Sequence, residues 1–369
     1  METCLVLGAG ATLANALHFR AERRKSSRPP LDTTFFETVE ARKIALSLPL
    51  KSYFENYIGI DPVATTLREY RMEEIFKDVS YDFRENSGDK AALDAYLDLV
   101  DLYLRVLRET TNWLCADTRT GGPVGRLIAE AAKTSDKVTI LTFNHDLVIE
   151  NEISRRASLR PRWCIDKGYG TISSSLNPLV PVGGSAKTFH YHDQAPLHED
   201  RPIVVLKPHG SLNWNVRINS TRPTARFLEK GGGTSPLQLV TRRQIGQRST
   251  FIRSGGSGGR TEWTMWPIIV PPVYAKQALR PKSVKMVWED AGKAIRGADR
   301  ILFFGYSLPE LDVEAEKLFE RGLLRNDDVR WLDVVNPSPA TAARFASVAP
   351  TKSVRWYPSL TRFIEDSGF

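Results

Sequence analysis

The chain has 369 residues, three cysteines (Cys4, Cys115 and Cys164) and a formal net charge of +8. That length buries a full α/β core without staples, and scattered cysteines with no CxxC pair exclude both a disulfide framework and a cysteine zinc site. The 51 Lys+Arg and 43 Asp+Glu are spread along the chain, so the basic runs at 18–28, 155–162 and 217–260 read as solvated faces; direct nucleic-acid binding is not expected, while a small anionic ligand is favoured.

The opening "METCLVLGAG" lacks a basic leader, and no window of about eighteen apolar residues follows, so a soluble cytoplasmic protein is expected. In chain order, contiguous apolar runs predict strands buried on both faces at "CLVLGAGAT", "KVTILTFNHD" (137–146), "PIVVLKPHG" (202–210), "WPIIVPP" (266–272), "RILFFGYS" (300–307) and "VRWLDVVNPS" (329–338). Helical spacing puts Leu93, Leu97, Val100, Leu104 and Leu107 on one stripe, and Leu311, Ala315, Leu318 and Phe319 on another. Strands alternating with helices imply an α/β fold, a Rossmann-like doubly wound parallel sheet. We read residues 1–369 as a single domain with two departures from regular alternation: a helical module inserted at 35–133, and a loop-rich insertion at 215–265 carrying "EKGGGTSP" and "RSGGSGGR".

Ligands in such sheets lie beyond the carboxyl ends of the strands, and each predicted strand end is polar or glycine-bearing. In "LGAGAT" (7–12), glycines at 8 and 10 allow a tight turn and close approach to a pyrophosphate at a helix start. Leu13 stands where a full dinucleotide fingerprint has glycine, and a tight strand-to-helix turn without ligand is the alternative. "TFNHD" ends the second strand with Asn144, His145 and Asp146, and the amide and carboxylate are suited to orienting a water or holding sugar hydroxyls and a carboxamide; helix capping by Asn144 or Asp146 serves equally well. "VVLKPHGSLNW" (204–214) ends a strand with His209, and Gly305, Ser307 and Asn336 end the last two. "HYHDQAP" brings His190, His192 and Asp193 together, but without a complete ligand set no metal is expected.

The order of these pieces is more specific than any one of them. GAG plus a small residue, a helical insertion, T-x-N-x-D, H-G, P-x-I-V, G-x-S-L and an Asn-bearing strand end resemble the sirtuin family, from Gly8 to Asn336. "PPLDTTFF" (29–36), "KPHGSLNW" and "FFGYSLPELD" look closer to the sirtuin-like proteins of bacterial anti-phage defence. The resemblance implies that Gly8, Ala9, Gly10, Ala11 and Thr12 line the NAD pyrophosphate and ribose, with Asn144 and Asp146 near the nicotinamide and its ribose. It implies that His209 is the catalytic histidine, that Gly305 and Ser307 approach the phosphates or adenosine ribose, and that Asn336 meets the adenosine; Asp32 and Phe35 fall in the cofactor-loop region.

One departure bears on the reaction. The deacylases carry a four-cysteine zinc module after H-G, whereas residues 211–300 contain no cysteine. That removes the expectation of an acyl-lysine cleft and leaves water as the acceptor. The resemblance therefore implies an NAD+ hydrolase that cleaves the nicotinamide–ribose bond, with NAD as substrate, Asn144 placing the nucleophile and His209 as general base. The setting implied is an NAD-depleting defence effector, a homo-oligomer restrained by a separate partner such as a motor ATPase or a nucleic-acid-guided protein. A protein deacylase, an ADP-ribosyltransferase and a non-catalytic NAD or ADP-ribose-binding assembly module are the alternatives.

Overall fold

The computed structural model describes residues 1–19, 28–62, 66–85, 89–116, 121–163, 168–170, 172–176, 187–191, 202–218, 237–239, 249–254, 260–270, 282–329 and 331–367. The chain opens with strand β1 (Glu2–Leu7) and helix α1 (Ala9–His18), then helices α2 (Phe35–Ala41), α3 (Leu48–Tyr53), α4 (Met72–Glu85), α5 (Lys90–Ala116) and α6 (Pro123–Thr134). Next come β2 (Lys137–Thr142), α7 (Val148–Arg155), β3 (Ile172–Leu176), β4 (Lys187–Tyr191), β5 (Ile203–Leu206), β6 (Gly210–Ile218), β7 (Leu237–Leu239), β8 (Ser249–Ser254) and β9 (Arg260–Ile269). The last third alternates α8 (Lys282–Gly297), β10 (Arg300–Phe304), α9 (Val313–Leu324), β11 (Trp331–Val335), α10 (Pro339–Val348), β12 (Ser353–Tyr357) and α11 (Leu360–Ser367).

Six strands form one parallel sheet in the order β12-β11-β10-β1-β2-β5, which makes the fold a Rossmann-like doubly wound α/β domain. β1 is central, and Cys4, Leu5, Val6 and Leu7 have no exposed surface. A strand covered by neighbours and by helices on both faces needs such a contiguous apolar run. Burial of the Cys4 thiol pushes its pKa up to about 12, so it behaves as a small core side chain. The chain leaves β1 toward β2 and β5 on one side and returns to β10 on the other, so strand order reverses between β1 and β10.

Of the run at 266–272, expected in the parallel sheet, 271–272 lie outside the described residues, and residues 266–269 instead end β9 in a second sheet of order β3-β4-β7-β6-β9-β8. Its paired strands are antiparallel. Trp266, Ile268, Ile269 and Val270 are all buried, and continuous burial gives the same apolar signature whatever the strand direction. The sixth parallel strand is β12, an edge strand whose residues are exposed or half-buried, so it lacks the run that marks a buried strand. The glycine-rich stretch 215–265 holds the end of β6, all of β7 and β8, and part of β9, while "EKGGGTSP" and the glycines of "RSGGSGGR" lie outside the described residues.

The helical stretch packs on the sheet. α5 spans 27 residues, about 40 Å at the helical rise, and is buried at Leu99, Leu102 and Val106 as well as at Leu97, Val100, Leu104 and Leu107. The stripe is wider than its periodicity predicts because α3, α4 and α7 pack around it. Each buried leucine contributes about 1.5–3 kcal/mol, and one apolar cluster joins α4 and α5 to β1, β2 and β10. Among the described residues no helix is long and apolar enough to cross a membrane.

Candidate functional site

The carboxyl edge of the parallel sheet is where the predicted residues gather, and its centre is the switch point between β1 and β10. There the first turn packs directly on the turn after β10: Gly8 N–H donates to the Phe304 carbonyl (3.1 Å) and Gly10 N–H to the Gly305 carbonyl (2.9 Å). A Cβ on Gly8 would lie 2.4 Å from the Gly305 oxygen, and one on Gly10 would lie 2.9 Å from it. The glycines are therefore accounted for by backbone packing, as the ligand-free turn requires. Ala11 N–H is also engaged, by the Gly8 carbonyl at 2.9 Å. Ala9 is the exposed residue of this turn.

Thr12, Asn144 and Asp146 form one connected group. The Thr12 hydroxyl donates to Asp146 Oδ2 at 2.8 Å and accepts from Asn144 Nδ2 at 3.0 Å. Asp146 Oδ1 accepts Val148 N–H at 2.9 Å at the start of α7, so this carboxylate does part of the capping that the sequence left open. Thr142 links the group to β1, donating to the Leu7 carbonyl (2.8 Å) and accepting Asn144 N–H (3.2 Å). Asn144 is half-buried while Asp146 and Thr12 are buried, which leaves the amide as the part of this group that meets solvent.

His209 sits in the turn between β5 and β6, 2 % exposed. Phe143 and Trp288 lie against its ring, at centroid distances of 4.9 and 5.9 Å, and its Nε2 is 3.3 Å from Asp312 Oδ2. The flanking residues of Asn144 both touch this histidine, because the His145 ring stacks 6.1 Å from it. Asn144 and His209 thus follow β2 and β5, two neighbouring strands, on the carboxyl edge of the sheet.

His145 braces that place. Its Nε2 lies 2.9 Å from the His209 carbonyl, which only accepts, so Nε2 carries the proton and Nδ1 accepts from the Tyr103 hydroxyl at 2.8 Å. Burial, then the nearby His209 and Lys207, holds its pKa well below the ordinary value, and a neutral ring matches both bonds. The His145 carbonyl accepts Leu212 N–H at 2.8 Å and the His209 carbonyl accepts Val270 N–H at 2.8 Å. His145 is thus fixed as a cross-brace between the end of β2, the His209 turn and α5.

Several contributors show their roles only through their partners. Lys207, with no exposed surface, bonds the Asp146 carbonyl and Glu150 Oε1, the latter at 2.9 Å. The Tyr169 hydroxyl donates to the same carboxylate oxygen at 3.1 Å. Tyr306 stacks on Phe143 at 4.8 Å, and its buried hydroxyl has no hydrogen-bond partner among the described residues. Burial, and the Asp312 and Glu73 carboxylates nearby, hold that phenol protonated. From the helical stretch, Phe35 packs on Tyr103 at 5.8 Å and Asp32 Oδ1 accepts Glu73 N–H at 2.8 Å, capping α4. Burial raises the Asp32 pKa, opposed by that backbone bond and by Arg71.

Ser307 is exposed just past Gly305, which has φ +63. Asn336 ends β11 half-buried, but its Oδ1 accepts Ser338 N–H at 2.9 Å ahead of α10, a turn role. Among the described residues no group of three or more His, Cys, Asp or Glu side chains is placed to hold a metal ion; His192 and Asp193 lie outside those residues. An open cleft of about 580 Å³ lies elsewhere, between α3 and α5, lined by residues including Tyr53, Tyr57, Lys90 and Asp94.

Models of known protein families and curated protein sequences give no match to this chain. Among solved structures, one described as the structural basis for the mechanism and regulation of Sir2 enzymes aligns with 96% of this chain and 86% of its own, at 12% identity and a TM-score of 0.33. That likeness is too low to support a functional argument, and the fold assignment stands on the strand order and pairing themselves.

Proposed function

We propose that this chain cleaves the nicotinamide–ribose bond of NAD, taking the dinucleotide as substrate and water as acceptor. One observation supports the reading: Asn144, bonded to Thr12 and through it to Asp146, and His209, beside Asp312, follow neighbouring strands at the carboxyl edge of a doubly wound sheet. The buried Tyr306 hydroxyl, without a hydrogen-bond partner among the described residues and close to Asp312, fits a polar ligand better than an apolar core. The ordered strand-end motifs support NAD in particular.

The chemistry asks little of acid catalysis. The leaving group is a pyridinium, so breaking the C1′–N bond returns its electron pair to a neutral nicotinamide and leaves an oxocarbenium-like ribose. Asn144, with its amide oriented by Thr12, places a water or ribose hydroxyl against C1′, and positioning of this kind supplies several powers of ten. His209 takes the proton released as the C1′–O bond forms, a contribution on the order of 10²–10⁴-fold. The Asp146 carboxylate is tied to Thr12 and Val148, so its part is to hold Thr12, and through it Asn144, in place.

The biological reading that follows is NAD depletion in bacterial anti-phage defence, by a homo-oligomer under the control of a separate activating protein. The test is purified protein with NAD, alone and with candidate activators, its products resolved by chromatography. Nicotinamide release that disappears in both Asn144→Ala and His209→Ala, with folding retained, is the expected result. Retained turnover in both variants, or neither NAD binding nor nicotinamide release by the wild type under any of these conditions, overturns the proposal.

A further inference from the structure

We infer that Asp312 is the positioning carboxylate of His209: it selects which ring nitrogen is basic and stabilises the imidazolium formed when the base is protonated. This deepens the assignment of His209 as the base and rests on it. The side chains are 3 % and 1 % exposed, with Asp312 Oδ2 at 3.3 Å from His209 Nε2. The other oxygen, Oδ1, accepts Ala315 N–H at 3.2 Å in the first turn of α9. One carboxylate therefore has two fixed duties, and turning it toward either partner breaks the other contact.

The loop that delivers Asp312 is held in a costly shape. Gly305 has φ +63 and Leu308 has φ +51. For a non-glycine residue that conformation is strained, and such strain persists where surrounding contacts over-determine it. Here Arg344 Nη1 donates to the Leu308 carbonyl at 3.0 Å, and Asp312 N–H donates to the Pro309 carbonyl at 3.0 Å. Capping α9 would need none of this, since many loops supply an Asp or Asn at a helix start.

Among the described residues, the carboxylate seen against the ring is that of Asp312. Phe143 and His145 face it from the end of β2 and Trp288 from α8. His145 is neutral with Lys207 close by, and the protonated Tyr306 lies near Asp312. A buried carboxylate 3.3 Å from Nε2 favours the tautomer with its proton on that nitrogen and the lone pair on Nδ1, and its negative charge favours the protonated ring.

Asp312→Asn tests this, because the amide oxygen still caps α9 while the charge is removed. Ring resonances of His209, assigned by their loss in His209→Gln, are followed by NMR against pH in wild type and variant. We expect the melting temperature to hold, the His209 pKa to fall by about one unit or more, and nicotinamide release to drop on the order of 10²–10⁴-fold. KM for NAD changes little, and the acid limb of the kcat/KM profile moves in step with the His209 titration. Coinciding His209 titrations in the two proteins overturn the inference. The NMR measurement decides it even in a protein that turns over no NAD, a result that would sink the proposed reaction instead.

Discussion

Replacing Lys207 with methionine keeps the length and volume of the side chain and deletes its charge, and the consequences are computable from its surroundings. Lys207 has no exposed surface, and its ammonium bonds Glu150 Oε1 at 2.9 Å and the Asp146 carbonyl. In the variant, Glu150, 4 % exposed, keeps a single donor, the Tyr169 hydroxyl, and its Oε2 already has no partner among the described residues. Stranding one member of a buried ion pair costs about 3–5 kcal/mol. At roughly 2 °C per kcal/mol for a domain of this size, the melting temperature falls by about 6–10 °C. Adding Glu150→Gln removes the stranded charge, and the double variant should recover at least half of the loss, a coupling of about 2 kcal/mol or more. Thermal and urea unfolding of the wild type, both single variants and the double variant measure the cycle. A single variant within about 1 kcal/mol of wild type, or a double variant no more stable than Lys207→Met, would refute the account of this pair as a charge held by its partner.

Two further predictions follow from the same edge. His145 has a folded pKa below its ordinary value near 6.5, so the unfolded chain binds a proton that the folded chain refuses; its contribution is complete above that value and is lost as pH falls toward the folded pKa, at up to about 1.4 kcal/mol per pH unit. Urea unfolding across about pH 5 to 8 should show this slope in wild type and a shallower one in His145→Gln; equal slopes would locate the acid sensitivity elsewhere. Gly305→Ala places a Cβ 2.1 Å from the Ala11 nitrogen at φ +63, and the conformational part alone costs about 1–2 kcal/mol before the clash is counted. A lowered melting temperature is expected, and a value equal to wild type would mean that the first turn and the turn after β10 do not pack as described.

How much was legible depended on whether a residue's role is local. The contiguous run Cys4–Leu7 announced a strand buried on both faces because burial alone dictates that pattern. The same logic misplaced 266–272, since antiparallel and parallel strands bury the same side chains, and it passed over β12, an edge strand with too little burial to leave a signature. The glycines at 8 and 10 were visible, but not their reason, which is the approach of Gly305 from nearly three hundred residues away in the chain. Asp312 and Tyr103 gave no sign of their roles, because an acid after a leucine or a tyrosine on a helical stripe is commonplace until its partner is known.

By itself, then, the sequence determined the layers: which runs are buried, where the chain turns from strand to helix, and that polar residues terminate the strands. Tertiary structure alone decided the pairings, that Thr12 supports Asn144, that Asp312 meets His209 and that His145 is a brace. Burial is a property of one residue against water and is written in its own chemistry, whereas a contact between residues 64 to 132 positions apart depends on how the whole sheet is wound.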